Sequence, residues 1–138
     1  MVNRVYKILV VDDSAMMRMV VRNFIAKVPG FEVVATAVNG KKALAELDQH
    51  PDLSLILLDI EMPEMDGLEF LRFAKLKSKA KIIILSSVAL AGSPYATKAG
   101  SLGADAIVTK PSGAVSLDLA DKRGTELMSI MKKLVGQA

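Results

Sequence analysis

Short unbroken apolar runs alternate along this chain with longer stretches in which apolar residues return every three or four positions. The first run, Lys7 to Val11, has the length and texture of a strand buried on both faces. Met17, Val20, Val21, Phe24 and Val28 follow at helical spacing, with Arg18, Arg22 and Lys27 off that face, and Pro29-Gly30 stops the helix. Glu32 to Ala37 carries the β-branched Val33, Val34 and Thr36 and predicts a second strand. Asn39-Gly40 turns the chain, and Lys41 to Gln49 is a short helix with Ala43, Leu44 and Leu47 inward. Leu55 to Leu58 is a third strand, running out at Asp59. Met62-Pro63 then bars a smooth passage into helix, because the residue before proline is pushed out of the α region.

Leu68, Leu71 and Ala74 mark the inner face of the next helix, with Phe70 or Phe73 flanking it. Lys81 to Leu85 is a fourth strand ending in Ser86-Ser87. A weak helix over 95–102 stops at Gly103, and Ala106 to Thr109 is a short fifth strand ending in Lys110-Pro111. Leu127, Ile130, Met131 and Leu134 set the face of a last helix from about Thr125. Strand and helix thus alternate about five times. Such chains build a doubly wound parallel sheet with helices on both faces, joined by right-handed crossovers. All C-terminal strand ends then meet at one edge, where open α/β sheets place their ligands. That edge collects Asp12, Asp13, Asp59, Ser86 and Lys110.

Composition narrows the chemistry. The 138 residues fit one domain, 1–138, and with only 4% aromatic residues its core must be aliphatic, with Met filling gaps. There is no Cys, which excludes disulfides and thiolate metal sites. The single His, His50, falls at a helix end in Asp48-Gln49-His50-Pro51 and is expected to be exposed. No apolar run is long enough to span a bilayer, and charges at Arg4 and Lys7 break any signal-peptide pattern, so a cytoplasmic protein is expected. The net charge of +3 is spread in both signs, with no basic stripe interleaved with aromatics. Direct binding of nucleic acid is therefore not expected.

Taken singly, each polar strand end has a plain reading. Asp12-Asp13-Ser14 suits a helix cap, Asp59 a solvated loop, Ser86-Ser87 a polar loop and Lys110-Pro111 a surface turn. Their conjunction at four of five strand ends is harder to ascribe to loop composition. Clustered carboxylates repel one another and ask for a cation, and all-oxygen ligands favour a hard ion such as Mg2+. Such an ion offsets the charge of an incoming phosphoryl group, and a carboxylate can then act as nucleophile and form an acyl phosphate. A hydroxyl and a lysine nearby suit the charge that spreads over the transferring oxygens.

Val10-Val11-Asp12-Asp13-Ser14, Leu58 to Gly67, Leu85-Ser86-Ser87 and Val108-Thr109-Lys110-Pro111 together resemble the receiver domain of two-component response regulators (CheY-like) over nearly the whole chain. The resemblance implies a flavodoxin-like five-stranded parallel sheet of order 2-1-3-4-5. It implies that Asp59 accepts a phosphoryl group from a CheA-like sensor histidine kinase or from a small donor such as acetyl phosphate. Asp13, Asp59 and the Glu61 backbone carbonyl would hold Mg2+ directly, and Asp12 through water. Ser86 and Lys110 would contact the phosphoryl oxygens, and the Lys110-Pro111 bond would be cis. A finer resemblance is to the receiver of chemotaxis protein-glutamate methylesterases (CheB-type). It rests on Asp13 to Arg18, Ser86-Ser87, Val108 to Gly113 and an extra segment, 112–124, before the last helix.

Two departures bear on this. No Gly-x-Ser-x-Gly elbow occurs, so a methylesterase domain is not in this chain, and either an excised regulatory domain or a stand-alone regulator fits. Ile107 stands where many receivers carry an aromatic residue that reports phosphorylation. The output would be a downstream effector domain or protein. A Mg2+-dependent aspartyl-phosphate phosphohydrolase is the enzymatic alternative, and a degenerate interaction domain the other.

Overall fold

The five apolar runs become five parallel strands: β1 (Tyr6–Val11), β2 (Phe31–Ala37), β3 (Leu55–Asp59), β4 (Lys81–Ser86) and β5 (Ala106–Thr109). Between and after them lie α1 (Ala15–Ala26), α2 (Gly40–Gln49), α3 (Gly67–Lys77), α4 (Pro94–Ser101) and α5 (Lys122–Leu134). The computed structural model describes residues 5–59, 67–86, 94–109 and 122–136. The sheet order is β2-β1-β3-β4-β5, so the flavodoxin-like arrangement expected from the sequence is the one observed.

Side chains alternate across the strands and split the interior into two layers. Leu9, Val11, Ile56, Leu58, Ile82 and Ile84 pack against α2, α3 and α4. Ile8, Val10, Leu55, Leu57, Ile83 and Leu85 pack against α1 and α5. β3 is the centre of both: all five of its residues are buried, Asp59 included. This double burial is why the strand is an unbroken apolar run rather than an alternating one.

The helices follow their apolar faces with a few shifts. In α1 the buried residues are Val21, Phe24 and Ile25. In α3, Phe70 is fully buried and Phe73 is exposed, which settles which aromatic turns inward. Met filler is only part of the pattern: Met131 is buried, but Met16 and Met19 project from α1 with more than half their surface exposed. α5 starts at Lys122, so the last residues of segment 112–124 are helical. The periodic apolar face begins only at Leu127 and does not report the polar first turn. His50 caps α2, half-buried beside Glu46, so it is less exposed than expected.

Register fixes the site. Val11 is paired with Leu58, so the next residues, Asp12 and Asp59, emerge at the same level. Asp59 in turn pairs with Leu85, one residue before Ser86. The β1–β2 pairing slips by one residue between Ile8 and Leu9, leaving Val34 as the extra residue of a bulge on edge strand β2.

Candidate functional site

The β1–α1 junction carries the first two acids. Ser14 is the N-cap of α1, its Oγ accepting from the Met17 N–H at 3.2 Å. One Asp12 carboxylate oxygen accepts from the Ser14 N–H at 2.9 Å. The capping expected of Asp12-Asp13-Ser14 therefore falls to Ser14 and Asp12, and the helix start does not require the carboxylate of Asp13. The Asp12 N–H donates to the Ala37 carbonyl at 3.1 Å, which ties the junction to the end of β2.

Asp12 and Asp59 are each about 1% exposed, and Asp13 is exposed at the rim. One carboxylate oxygen from each of Asp12, Asp13 and Asp59 can be chosen so that all lie within 4.8 Å of one another. Burying two like-charged carboxylates at this spacing is costly, and a cation between them relieves it. The donor set is all oxygen, which fits a hard divalent ion of the Mg2+ class rather than a softer metal.

Of the other expected site residues, Ser86 is the last residue of β4, on the same edge of the sheet. Glu61, Lys110 and the Lys110-Pro111 bond lie outside the described residues. Ile107, the departure noted from the aromatic that many receivers carry, is 39% exposed on β5.

The contacts of two polar residues, one in α1 and one just before β5, are not legible in the sequence. Arg18, set aside as off the apolar face of α1, turns back so that its Nη1 donates to the Asp12 carbonyl at 2.8 Å. Asp105, just before β5, accepts from the Ile82 N–H at 2.8 Å, and its own N–H donates to the Ile82 carbonyl at 2.8 Å. Lys75 of α3 reaches the same carboxylate at 3.3 Å. In the sequence Arg18 is a cation one helical turn beyond the cap and the last residue of the Asp13 to Arg18 stretch behind the finer resemblance, and neither signal points to a bond with the Asp12 carbonyl.

A doubly wound sheet of order 2-1-3-4-5 with three carboxylates converging at its C-terminal edge is a flavodoxin-like fold carrying a candidate cation site. Comparison with known proteins makes the assignment specific. Residues 8–122 match the response regulator receiver domain, and the chain belongs to that family. It is 46% identical over 118 residues to a protein-glutamate methylesterase/protein-glutamine glutaminase of Halalkalibacterium halodurans, covering 85% of this chain and 34% of the relative. A homologue with the same description from Treponema denticola is 43% identical over 115 residues, or 82% of this chain and 30% of the relative. The chain therefore spans about a third of the length of these relatives.

Among solved structures, a chain in the complex of the P1 domain of CheA3 with CheY6 from R. sphaeroides is 53% identical, with a TM-score of 0.80 over 96% of this chain and 98% of that one. The response regulator domain of Thermotoga maritima CheB is 33% identical, with a TM-score of 0.84 over 98% of this chain and 99% of that one. The chain is thus the receiver domain of a two-component response regulator, a regulatory domain with chemotaxis proteins among its relatives. Among the described residues, no helix is long and apolar enough to cross a membrane.

Proposed function

We propose that residues 1–138 form one cytoplasmic receiver that takes a phosphoryl group on Asp59 in a Mg2+-dependent reaction and thereby switches a chemotaxis output. The observation that carries this is the convergence of Asp12, Asp13 and Asp59 within 4.8 Å on a family-matched sheet edge. Asp13, Asp59 and the Glu61 carbonyl would hold Mg2+ directly and Asp12 through water. When bound, the ion offsets the negative charge that otherwise keeps a phosphoryl group away from carboxylates.

The donor is a phosphohistidine of a CheA-like kinase, a reading supported by the CheA3 P1–CheY6 complex among the similar structures. An Asp59 oxygen attacks phosphorus, a P–O bond forms, and the P–N bond breaks with its electron pair leaving on the imidazole. Lys110 and Ser86 contact the phosphoryl oxygens as charge spreads over them. Water later cleaves the acyl phosphate and resets the domain. The domain thus carries out its own phosphorylation and dephosphorylation without turning over a separate substrate. The output is a downstream effector, with a methylesterase domain favoured by the curated relatives.

Intact mass after incubation with acetyl phosphate and Mg2+ tests this. One added phosphoryl group is expected, absent from Asp59→Asn and from a sample with chelator. Undiminished labelling of Asp59→Asn would remove Asp59 from its role.

A further inference from the structure

An acid pair on a loop is placed only as well as its peptide backbone is held. Asp12 is held from three sides. Its N–H reaches the Ala37 carbonyl at the end of β2. Its side chain accepts from the Ser14 N–H at the start of α1. Its carbonyl accepts from Arg18, at 2.8 Å, one turn into the same helix. Arg18 is half-buried, which limits competition from water. The bond is charge-assisted and so stronger than a neutral one, and the planar guanidinium presents its donors in a fixed geometry.

We propose that Arg18 is a positioning residue for the cation site. It anchors the Asp12 peptide and so keeps the carboxylates of Asp12 and Asp13 in ligating range of Asp59. The inference rests on the reading of this cluster as a cation site.

Arg18 acts on a bound cation in two ways of opposite sign. Its charge repels the ion, and its hydrogen bond orders the ligands. If charge governed, a neutral replacement would tighten cation binding; if anchoring governs, it loosens it. The bond runs to the backbone of Asp12 and the cluster is close-set, so anchoring governs. Partners just outside a metal's own ligands typically contribute about 10–100-fold in affinity, and one bond to a loop carbonyl belongs at the low end, about tenfold.

Three measurements test this on the whole chain. Calorimetric titration with MgCl2 should show Arg18→Gln binding about tenfold more weakly than wild type, with Arg18→Lys in between. Urea midpoints of the metal-free proteins, taken alongside, separate anchoring from a merely structural role, which would lower the midpoint and leave Mg2+ affinity unchanged. Equal or tighter Mg2+ binding by Arg18→Gln overturns the proposal. Should that variant fail to fold, Arg18→Lys decides in its place, and wild-type affinity there overturns the guanidinium's part.

The third measurement is amide hydrogen exchange in metal-free protein. Exchange at Asp12 and Ser14 should accelerate in the variants, and unchanged exchange sinks the anchoring whatever the metal does. A wild type that takes up no Mg2+ while exchange at Asp12 still responds to Arg18 would instead refute the cation-site reading.

Discussion

The two edges of the sheet handle charge in opposite ways. At the C-terminal edge, Asp12, Asp13 and Asp59 bring like charges together, and two of them are buried. At the N-terminal edge two acids, Asp52 and Asp105, are paired with cations. Lys7 bonds Asp52, and Lys75 meets Asp105, which also takes the Ile82 N–H. A cavity of about 410 Å3 lies at that edge, lined in part by Tyr6, Asp52, Ser54, Lys81 and Leu134. Its acid is already bonded to Lys7, so electrostatics at this edge calls for no ligand. What separates the two edges is the local balance of charge among the described residues, rather than the presence of charge or of a hollow.

The contrast is broken most forcefully at Asp59. Asp59→Asn removes one of the repelling charges, so the metal-free protein should become more stable, by about 1 kcal/mol. The same change should abolish stabilisation by the ion. In wild type, Mg2+ at a hundred times its Kd should add about 2.7 kcal/mol to unfolding stability, and in the variant almost none. Urea unfolding with and without Mg2+ checks both signs; a variant stabilised by Mg2+ as much as wild type would place the ion elsewhere.

A single effect, with no dependence on the ion, is expected at the opposite edge. Asp105→Ala strips the Ile82 N–H of its acceptor and Lys75 of its partner. Leaving a buried donor unmade costs about 1–3 kcal/mol, and no Mg2+-dependent gain should offset it. Urea unfolding measures the loss, and an unchanged midpoint would show that water replaces the carboxylate.

The smallest effect belongs to Lys7 and Asp52, whose pair is exposed. The hydrogen bond from Lys7 holds the Asp52 carboxyl below the usual carboxylate range, and the same bond raises Lys7. A depressed acid stabilises the fold above its unfolded-state value and loses that contribution as pH falls through the folded one; a raised lysine loses its contribution at alkaline pH. Solvent screens this pair, so the dependence is slight. Lys7→Met should return the Asp52 titration, followed by carboxyl NMR, to the ordinary range, and an unmoved midpoint would dissolve the pair.

Much of the architecture was legible because a parallel sheet buried on both faces demands unbroken aliphatic runs. Lys7 to Val11, Leu55 to Leu58 and Lys81 to Leu85 are such runs, and the structure makes strands of all three. What the runs could not show is which strand lies beside which. The order 2-1-3-4-5 came with the family resemblance, since periodicity records a strand's faces and not its neighbours. The slip at Val34 and the three-residue lead of α5 were hidden for a related reason, as neither alters an apolar face.

By itself the sequence determined the aliphatic core, the strand–helix alternation and the candidate acids, because burial and chain direction are written into residue type and spacing. Tertiary structure decided which acids meet. Register sets Asp12 level with Asp59, although they lie 47 positions apart in the chain. Only the folded chain turns Arg18 back onto the Asp12 carbonyl and joins Asp105 to Ile82 across 23 residues. Those contacts depend on side-chain direction and strand pairing, which become fixed when the sheet closes over its core.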